Sequence, residues 1–147
     1  MSNQTGYKLS ARTRLDDRVR FDKPRWIDIE QWLQPVFERG GSIRMELPSS
    51  IPGEVPAPSP VVGQITDVSM QSEPGKFLLT AVLYQGDNDK VLCWKDLQDT
   101  PDRGVVDLGG NEWDARWIQT DISIALRVFR EVFETGQLSG ESRQHMR

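Results

Sequence analysis

The chain has 147 residues, of which 37% are hydrophobic and 27% are charged, and it carries a net charge of −4. A chain of this length and composition is typical of one soluble globular domain, which can bury a hydrophobic core without needing disulfides. The longest apolar runs span only a few residues, so the sequence argues against a helical membrane protein, whose spans need about 20.

The N-terminal region and the cysteine content both predict a cytoplasmic protein. No apolar segment follows the first positive charges, as a secretory signal requires. The single cysteine, Cys93, cannot form an internal disulfide, which fits a reducing compartment. Because free cysteines are among the most buried residues, Cys93 is expected to be a buried structural thiol.

The charges are unevenly distributed along the chain. Residues 1–25 carry seven basic residues against three acids, whereas residues 85–121 carry nine acids against four bases. A basic arm could contact nucleic acid, but the rest of the chain is then at −8 (−4 minus +4) and repels phosphates. We therefore predict that residues 1–17 form a flexible basic N-terminal arm and that nucleic acid is not the partner.

The first predicted helix follows a short strand expected at residues 18–21. The segment "WIDIEQWLQPVFERGG" (26–41) places four apolar residues on one helical face: Trp32, Leu33, Val36 and Phe37. Asp28 is expected to cap the start of this helix, and the two glycines are expected to end it. Pro35 is expected to kink the helix or to shift its true start, because proline lacks the backbone donor.

The middle of the chain predicts an antiparallel meander preceded by a long loop. Clean alternation over residues 42–47 predicts a half-buried strand. Five prolines in residues 48–60 exclude regular structure and predict a long surface loop. Three more strands are expected at residues 61–71, 76–84 and 90–95. In the first of these strands, apolar residues occupy both odd and even positions, so the sequence does not show which side of the strand faces the core. The second is predicted to be a central strand covered on both faces.

The C-terminal third predicts a hairpin followed by a helix. "VVDL" (105–108) and "WDARWI" (113–118) are expected to be short strands about "GGN". In "TDISIALRVFREVFETG" one helical face is apolar: Ile122, Ala125, Phe129, Val132 and Phe133. Thr120 or Asp121 is expected to cap this helix, and Gly136 is expected to end it.

The order of these elements predicts an α+β fold. Helix, strand, loop, meander and helix follow one another without the strand–helix–strand alternation of a parallel sheet. We expect an antiparallel sheet of about five or six strands with two helices packed on one face. The single domain is predicted to span residues 18–138, followed by a polar tail at 139–147 that frays.

The sequence offers little from which to build a catalytic site. Its only histidine, His145, lies in the tail that is expected to fray, where a nucleophile–histidine–carboxylate site cannot be held in position. One cysteine and one histidine are too few for a zinc site, and no phosphate-binding glycine loop is present. We therefore predict a protein that is not an enzyme and holds no metal or cofactor. A site made of carboxylates alone, binding Mg²⁺ or cleaving a glycoside, stays open.

Two tryptophans near the predicted hairpin have two interpretations. Trp113 and Trp117 would share one strand face, which either covers the sheet beneath a helix or forms an exposed aromatic pair rimmed by carboxylates. The neighbouring acids fall mainly in turns. They are either simply solvated or gathered at one end of the sheet, where they would attract a basic partner.

The stretch "GVVDLGGNEWDARWIQTDISIALRVFREVFETGQLS" (104–139) resembles a family of bacterial proteins. In it a short strand carries a W/F-D-x-x-W/V feature, followed by T-D, an amphipathic helix with a Phe-rich end, and G-x-L-S. This pattern is similar to the C-terminal part of immunity proteins from contact-dependent inhibition and related polymorphic toxin systems. Because their folds are diverse, the resemblance carries over no binding residues. It implies a cytoplasmic, non-catalytic protein that neutralises a cognate toxin, often a basic nuclease.

An acidic surface with an aromatic anchor is the expected binding site. An inhibitor of a nuclease can imitate phosphate charge and occupy the cleft of the enzyme. The predicted partner-binding residues are Trp94, Asp96, Asp99, Asp102, Asp107, Glu112, Trp113 and Asp114. The expected partner is a cationic protein toxin domain, and the oligomeric state stays open. The alternative is a non-catalytic adaptor module of another pathway.

Overall fold

The computed structural model describes residues 6–15, 17–47, 60–96 and 104–147. The predicted proline-rich loop lies outside these ranges except for Pro60, and so do the first five residues of the predicted N-terminal arm. None of the helices in the described ranges combines the length and apolar character that a bilayer crossing requires.

The described residues form an α+β fold, as predicted. The strands are β1 (Lys8–Thr13), β2 (Val19–Phe21), β3 (Gly41–Glu46), β4 (Ile65–Glu73), β5 (Lys76–Tyr84), β6 (Asp89–Cys93), β7 (Val105–Leu108), β8 (Asn111–Asp114) and β9 (Ile118–Gln119). The helices are α1 (Trp26–Arg39), α2 (Ile122–Thr135) and α3 (Gly140–His145). In the described ranges, seven strands form one antiparallel sheet in the order β2-β1-β3-β4-β5-β6, with β9 beside β5, while β7 and β8 form a separate hairpin.

The two long helices cover one face of the sheet and bury its alternating apolar residues. On β3, Ile43 and Met45 are fully buried while Arg44 between them is exposed, which confirms the predicted half-buried strand. On β4, Ile65 and Val68 are both buried although they differ in parity. The pairing of β4 with β5 shifts register between Ile65 and Asp67. This bulge turns both side chains toward the helices, and it settles the facing that the sequence left open.

Strand β5 lies inside the sheet, and its first half is covered on both faces. Phe77, Leu79 and Ala81 are buried on the helix-covered face. Leu78 points to the opposite face, the open face of the sheet, yet is only 6% exposed. The β7–β8 hairpin lies over that face, as shown by the hydrogen bond of 2.7 Å that Lys76 Nζ donates to the backbone oxygen of Asp107. The prediction of a central strand is confirmed.

Both long helices form where the sequence predicts them, with one difference at the start of α1. Helix α2 is capped by Asp121, whose carboxylate accepts the Ser123 N–H at 3.0 Å, and it ends at Gly136 with a φ of 75°. Helix α1 begins after Arg25, not after Asp28. The Asp28 carboxylate instead reaches back from the first turn and accepts the Arg25 N–H at 2.8 Å.

The prediction of a flexible N-terminal arm at residues 1–17 is wrong for β1. This strand lies between β2 and β3 and pairs with both. Leu9 and Ala11 alternate with polar neighbours and are buried at 1% and 2% exposure. Burial of this face and two ladders of hydrogen bonds outweigh the repulsion among the basic side chains. The domain therefore begins well before residue 18.

The C-terminal tail is also ordered, contrary to prediction. Helix α3 is capped by Ser139, and Met146 beyond it is only 3% exposed. Arg147 and Cys93 exchange two backbone hydrogen bonds of 3.1 Å, so the tail extends the edge of the sheet at β6. Burial of the Met146 side chain and the hydrogen bonds to the edge of β6 order this tail, although most of its residues are polar.

Candidate functional site

The β7–β8 hairpin stands on the open face of the sheet, and its turn is made by two glycines. Gly109 and Gly110 have φ angles of 63° and 84°, the left-handed conformation that tight two-residue hairpin turns require. The Gly109 N–H donates to Glu73 Oε2 at 2.7 Å, which holds the turn against the end of β4. The predicted hairpin is confirmed, with β8 starting two residues earlier than expected.

Alternation along the hairpin separates an acidic outer face from an apolar inner face. Asp107 lies directly opposite Glu112, and Val105 lies opposite Asp114. Cross-strand partners share a face, so these four residues form one surface, which we call the acidic hairpin face. Asp107 and Glu112 are exposed, and Val105 is 62% exposed. On the inner side, Leu108 is fully buried.

Arg116 holds one acid of this face in its ionised form. The side chain of Arg116 donates hydrogen bonds of 3.0 and 2.6 Å to Asp114, and its backbone N–H donates a third of 2.9 Å. Together these contacts lower the pKa of Asp114 to about 2, from a usual value of 3.8. The negative charge of Asp114 is therefore largely offset locally, while Asp107 and Glu112 form no ion pair in the described residues.

Removal of the Arg116 side chain is expected to raise the pKa of Asp114. Because the folded-state pKa lies below the unfolded value, the contact stabilises the fold fully above about pH 3.8 and is lost as the pH falls through about 2. An NMR titration of the Asp114 carboxyl carbon should show a higher midpoint in Arg116→Gln than in the natural chain. Arg130→Gln, which removes a different surface ion pair, should leave that midpoint unchanged. An unmoved midpoint in Arg116→Gln would contradict the assignment.

The strand predicted at residues 113–118 is interrupted, so Trp113 and Trp117 do not share a strand face. Residues Ala115–Trp117 form a 3₁₀ turn, because the Asp114 side chain accepts the N–H two residues further along. The two indole rings nevertheless approach each other, with centroids 6.3 Å apart and planes tilted by 47°. Both are half-buried, and Lys95 Nζ lies 4.9 Å from the Trp117 ring centroid.

A second polar feature of the open face is a groove of about 800 Å³. Strands β1 to β4 and the residues between β1 and β2 line it, and Gly109 at the hairpin tip closes one side. Its basic side chains are Lys8, Arg12, Arg14, Arg18, Arg20 and Arg44. We call this feature the basic groove. Sequence reasoning assigned three of these six residues, Lys8, Arg12 and Arg14, to a flexible arm and therefore missed the groove, although alternation with Leu9, Ala11 and Val19 was a detectable strand signal.

The model of DUF6911, a family of unknown function, matches residues 3–142. The chain belongs to the DUF6911 family. Among solved structures, the crystal structure of a hypothetical protein from Neisseria gonorrhoeae aligns with this DUF6911 chain at a TM-score of 0.62 and 16% sequence identity. The alignment covers 95% of this chain and 94% of the other, and at this identity it shows a shared fold. A comparison with curated proteins gave no match.

In this DUF6911 protein, four of the predicted acids lie around the hairpin. Asp107, Glu112 and Asp114 share its outer face, and the Asp96 backbone N–H donates to the Arg116 carbonyl at 3.2 Å. Trp113 lies beside them on the inner face, where its Nε1–H donates to the Leu108 carbonyl at 3.3 Å. The two other predicted acids, Asp99 and Asp102, lie outside the described residues.

Trp94 is not available as a surface anchor, contrary to prediction. It is only 3% exposed and belongs to the core between sheet and helices. The His145 ring stacks on it at a centroid distance of 4.2 Å with planes 4° apart, and His145 Nδ1 lies 3.0 Å from the Lys95 carbonyl oxygen. The parity that Trp94 shares with buried Leu92 was the signal for this orientation.

Cys93 lies on the opposite face from Trp94 and is half-buried, not fully buried as expected. Burial raises the pKa of its thiol to about 11. The thiol is therefore protonated near neutral pH and is a poor nucleophile. In the described ranges, no three His, Cys, Asp or Glu side chains are grouped closely enough to hold a metal ion.

Proposed function

We propose that this DUF6911 protein is an immunity protein that binds a cognate bacterial toxin through the acidic hairpin face. The observation that carries the proposal is the meeting of Asp107, Glu112 and Asp114 on one face of the hairpin, where Asp107 and Glu112 are exposed and Asp114 is half-buried. Of these acids, only Asp114 forms an ion pair in the described residues, so the face presents local negative potential to a cationic domain. Such potential accelerates the encounter of oppositely charged proteins.

The arrangement of the two unpaired acids supports a binding role. Asp107 and Glu112 are direct cross-strand partners, and neither forms an ion pair or side-chain hydrogen bond in the described residues. Like charges placed opposite each other destabilise a hairpin. A lysine or arginine of a partner would relieve this repulsion and would find the exposed Val105 side chain beside it as an apolar contact.

The partner is a cationic toxin domain, for which a basic nuclease is the best chemical fit, and the protein acts in the cytoplasm by covering the toxin without catalysing a reaction. Asp96 lies near the hairpin, because its backbone N–H donates to the Arg116 carbonyl, and Asp99 and Asp102 lie between Asp96 and the hairpin in the sequence. Trp113 supports the hairpin from its inner side and contributes indirectly.

The test uses the toxin domain encoded beside the gene for this protein. We expect the natural chain to restore growth of cells expressing that domain and to bind it in a pull-down. Asp107→Lys/Glu112→Lys should lose protection and associate about tenfold more slowly at low salt. The matched control, Glu30→Lys/Glu38→Lys, changes the same charge on exposed positions of α1 and should still protect.

Two outcomes would contradict the proposal. If the natural chain neither binds nor neutralises the adjacent domain, the immunity function is wrong, and an adaptor role becomes the better hypothesis. If the hairpin variant protects as well as the control, the toxin contacts another surface. Circular dichroism melting curves of both variants should match that of the natural chain, which ensures that a loss of protection reports binding.

A further inference from the structure

The basic groove is built by strand alternation on the open face of the sheet. In the register of β1 with its two neighbours, Ser10 lies opposite Arg20 on one side and Arg44 on the other. Arg12, two residues further along β1, therefore projects from the same face. Because these side chains come from three adjacent strands, the folded sheet places Arg12 and Arg20 on one face with Arg44, which is more distant in the sequence.

Only some of these cations are neutralised inside the groove. Arg44 donates to Asp67 from Nε at 2.6 Å and lies 3.2 Å from Glu46, and Lys8 lies 3.9 Å from Asp22. The guanidinium groups of a second set form no ion pair or side-chain hydrogen bond in the described residues: Arg12, Arg18 and Arg20. Holding three like charges without an acidic partner among the described residues costs stability, and a bound anion would offset this cost.

We propose that the basic groove binds an acidic, extended segment of a partner protein. Alternate residues of a strand lie about 7 Å apart. Lys8 and Arg12 project on either side of Ser10, whose cross-strand partners are Arg20 and Arg44, so the groove offers cations at about this spacing to carboxylates at every second position of an extended peptide. Arginine forks bind carboxylates through two parallel hydrogen bonds, which favours such a ligand over a simple counterion. The groove volume of about 800 Å³ accommodates a short segment of this kind.

Nucleic acid fits the groove less well. Single-stranded nucleic acid is usually held by aromatic side chains on which bases stack. The one aromatic residue among those lining the groove is Phe21, which packs against the hydrophobic core. A long phosphate backbone leaving the groove also meets the hairpin that closes one side, with Asp107 and Glu112 on its outer face. A short acidic segment avoids this repulsion.

The experiment measures fluorescence anisotropy of labelled probes with the full chain. The acidic probe is a peptide of about ten residues with glutamate at alternate positions, and the matched peptide carries glutamine instead. We expect the glutamate peptide to bind at low salt, to dissociate at about 0.5 M salt, and to bind more tightly than the glutamine peptide or a single-stranded oligonucleotide of similar length.

Two charge-reversal variants locate the binding site. Arg12→Glu/Arg20→Glu should weaken binding of the glutamate peptide by about tenfold or more. Lys90→Glu/Arg143→Glu changes the net charge equally at exposed positions outside the groove and should leave the affinity nearly unchanged. If the groove variant is misfolded by its melting curve, Arg12→Gln/Arg20→Gln provides the same comparison with a smaller perturbation.

Three results would overturn the inference. The first is that the glutamate peptide does not bind. The second is that both charge-reversal variants lose affinity for this peptide to the same extent. The third is that the oligonucleotide binds more tightly than the peptide, which would assign the groove to nucleic acid. The inference does not depend on toxin binding, since Asp107→Lys/Glu112→Lys leaves the groove cations intact. Peptide binding should therefore persist in that variant even if its toxin binding is lost.

Discussion

Replacing Phe129 with alanine is expected to lower the free energy of unfolding by about 3 to 5 kcal/mol. Phe129 lies in the middle of α2 and is fully buried between this helix and the sheet. Alanine would remove most of its apolar surface from the core and leave a cavity, because the surrounding strands cannot collapse to fill it. Since a domain of this size is stabilised by roughly 5 to 15 kcal/mol, the loss is large.

Urea denaturation with linear extrapolation measures this change. Ile27→Ala is a suitable control, because Ile27 is a large apolar residue on α1 that is 48% exposed. Its replacement should cost less than about 1 kcal/mol. If both variants lose the same free energy of unfolding, Phe129 is not buried between α2 and the sheet.

The second large effect is expected for Gly41→Ala at the start of β3. The φ of Gly41 is 136°, and a methyl group there would overlap the Arg12 carbonyl oxygen and lie 2.8 Å from Thr13 Cα. These atoms belong to the backbone of β1 and cannot move without breaking the β1–β3 ladder. We expect a loss of about 3 kcal/mol or more from strain and overlap together.

A comparison with Gly63→Ala separates the overlap from the unfavourable backbone angle. Gly63 has a φ of 93° but no atom within 4 Å of an added methyl group. Its replacement should cost only the conformational strain, about 1 to 2 kcal/mol. Thermal or urea unfolding of both variants gives the difference. If Gly41→Ala is no worse than Gly63→Ala, the close approach of β1 and β3 is not as described. Because Arg12 lines the basic groove, Gly41→Ala should also weaken binding of the acidic peptide.

The two proposed binding surfaces have opposite charge and meet at the hairpin. On its outer face, Asp107 and Glu112 form no ion pair within the described residues, while its tip at Gly109 closes one side of the basic groove. A partner with both a cationic patch and an acidic segment could engage both surfaces at once and would gain affinity from the second contact. Testing the hairpin and groove variants against the same toxin domain distinguishes one site from two.

Part of the candidate site followed from local sequence. The adjacent glycines predicted the hairpin because few other residues adopt two consecutive left-handed conformations. Three of the predicted acids lie on one face, because the register of β7 with β8 places them at alternate or directly opposite positions. The sequence misplaced Trp94, because its side of the sheet depends on α2 and on the C-terminal tail. It also missed the basic groove. Five of its six basic residues lie between residues 8 and 20, but only the pairing of β1 with β2 and β3 places them on one face beside Arg44.

The sequence by itself determined the elements whose signals are local. Helix α2 has its cap, apolar stripe and terminal glycine within one continuous segment, and β3 alternates cleanly. Tertiary structure alone decided that β1 lies inside the sheet between β2 and β3, that β4 bulges, and that Met146 is buried. Each of these outcomes depends on burial or hydrogen bonding against residues far away in the chain. Local propensity is too weak to determine which distant surface a segment meets.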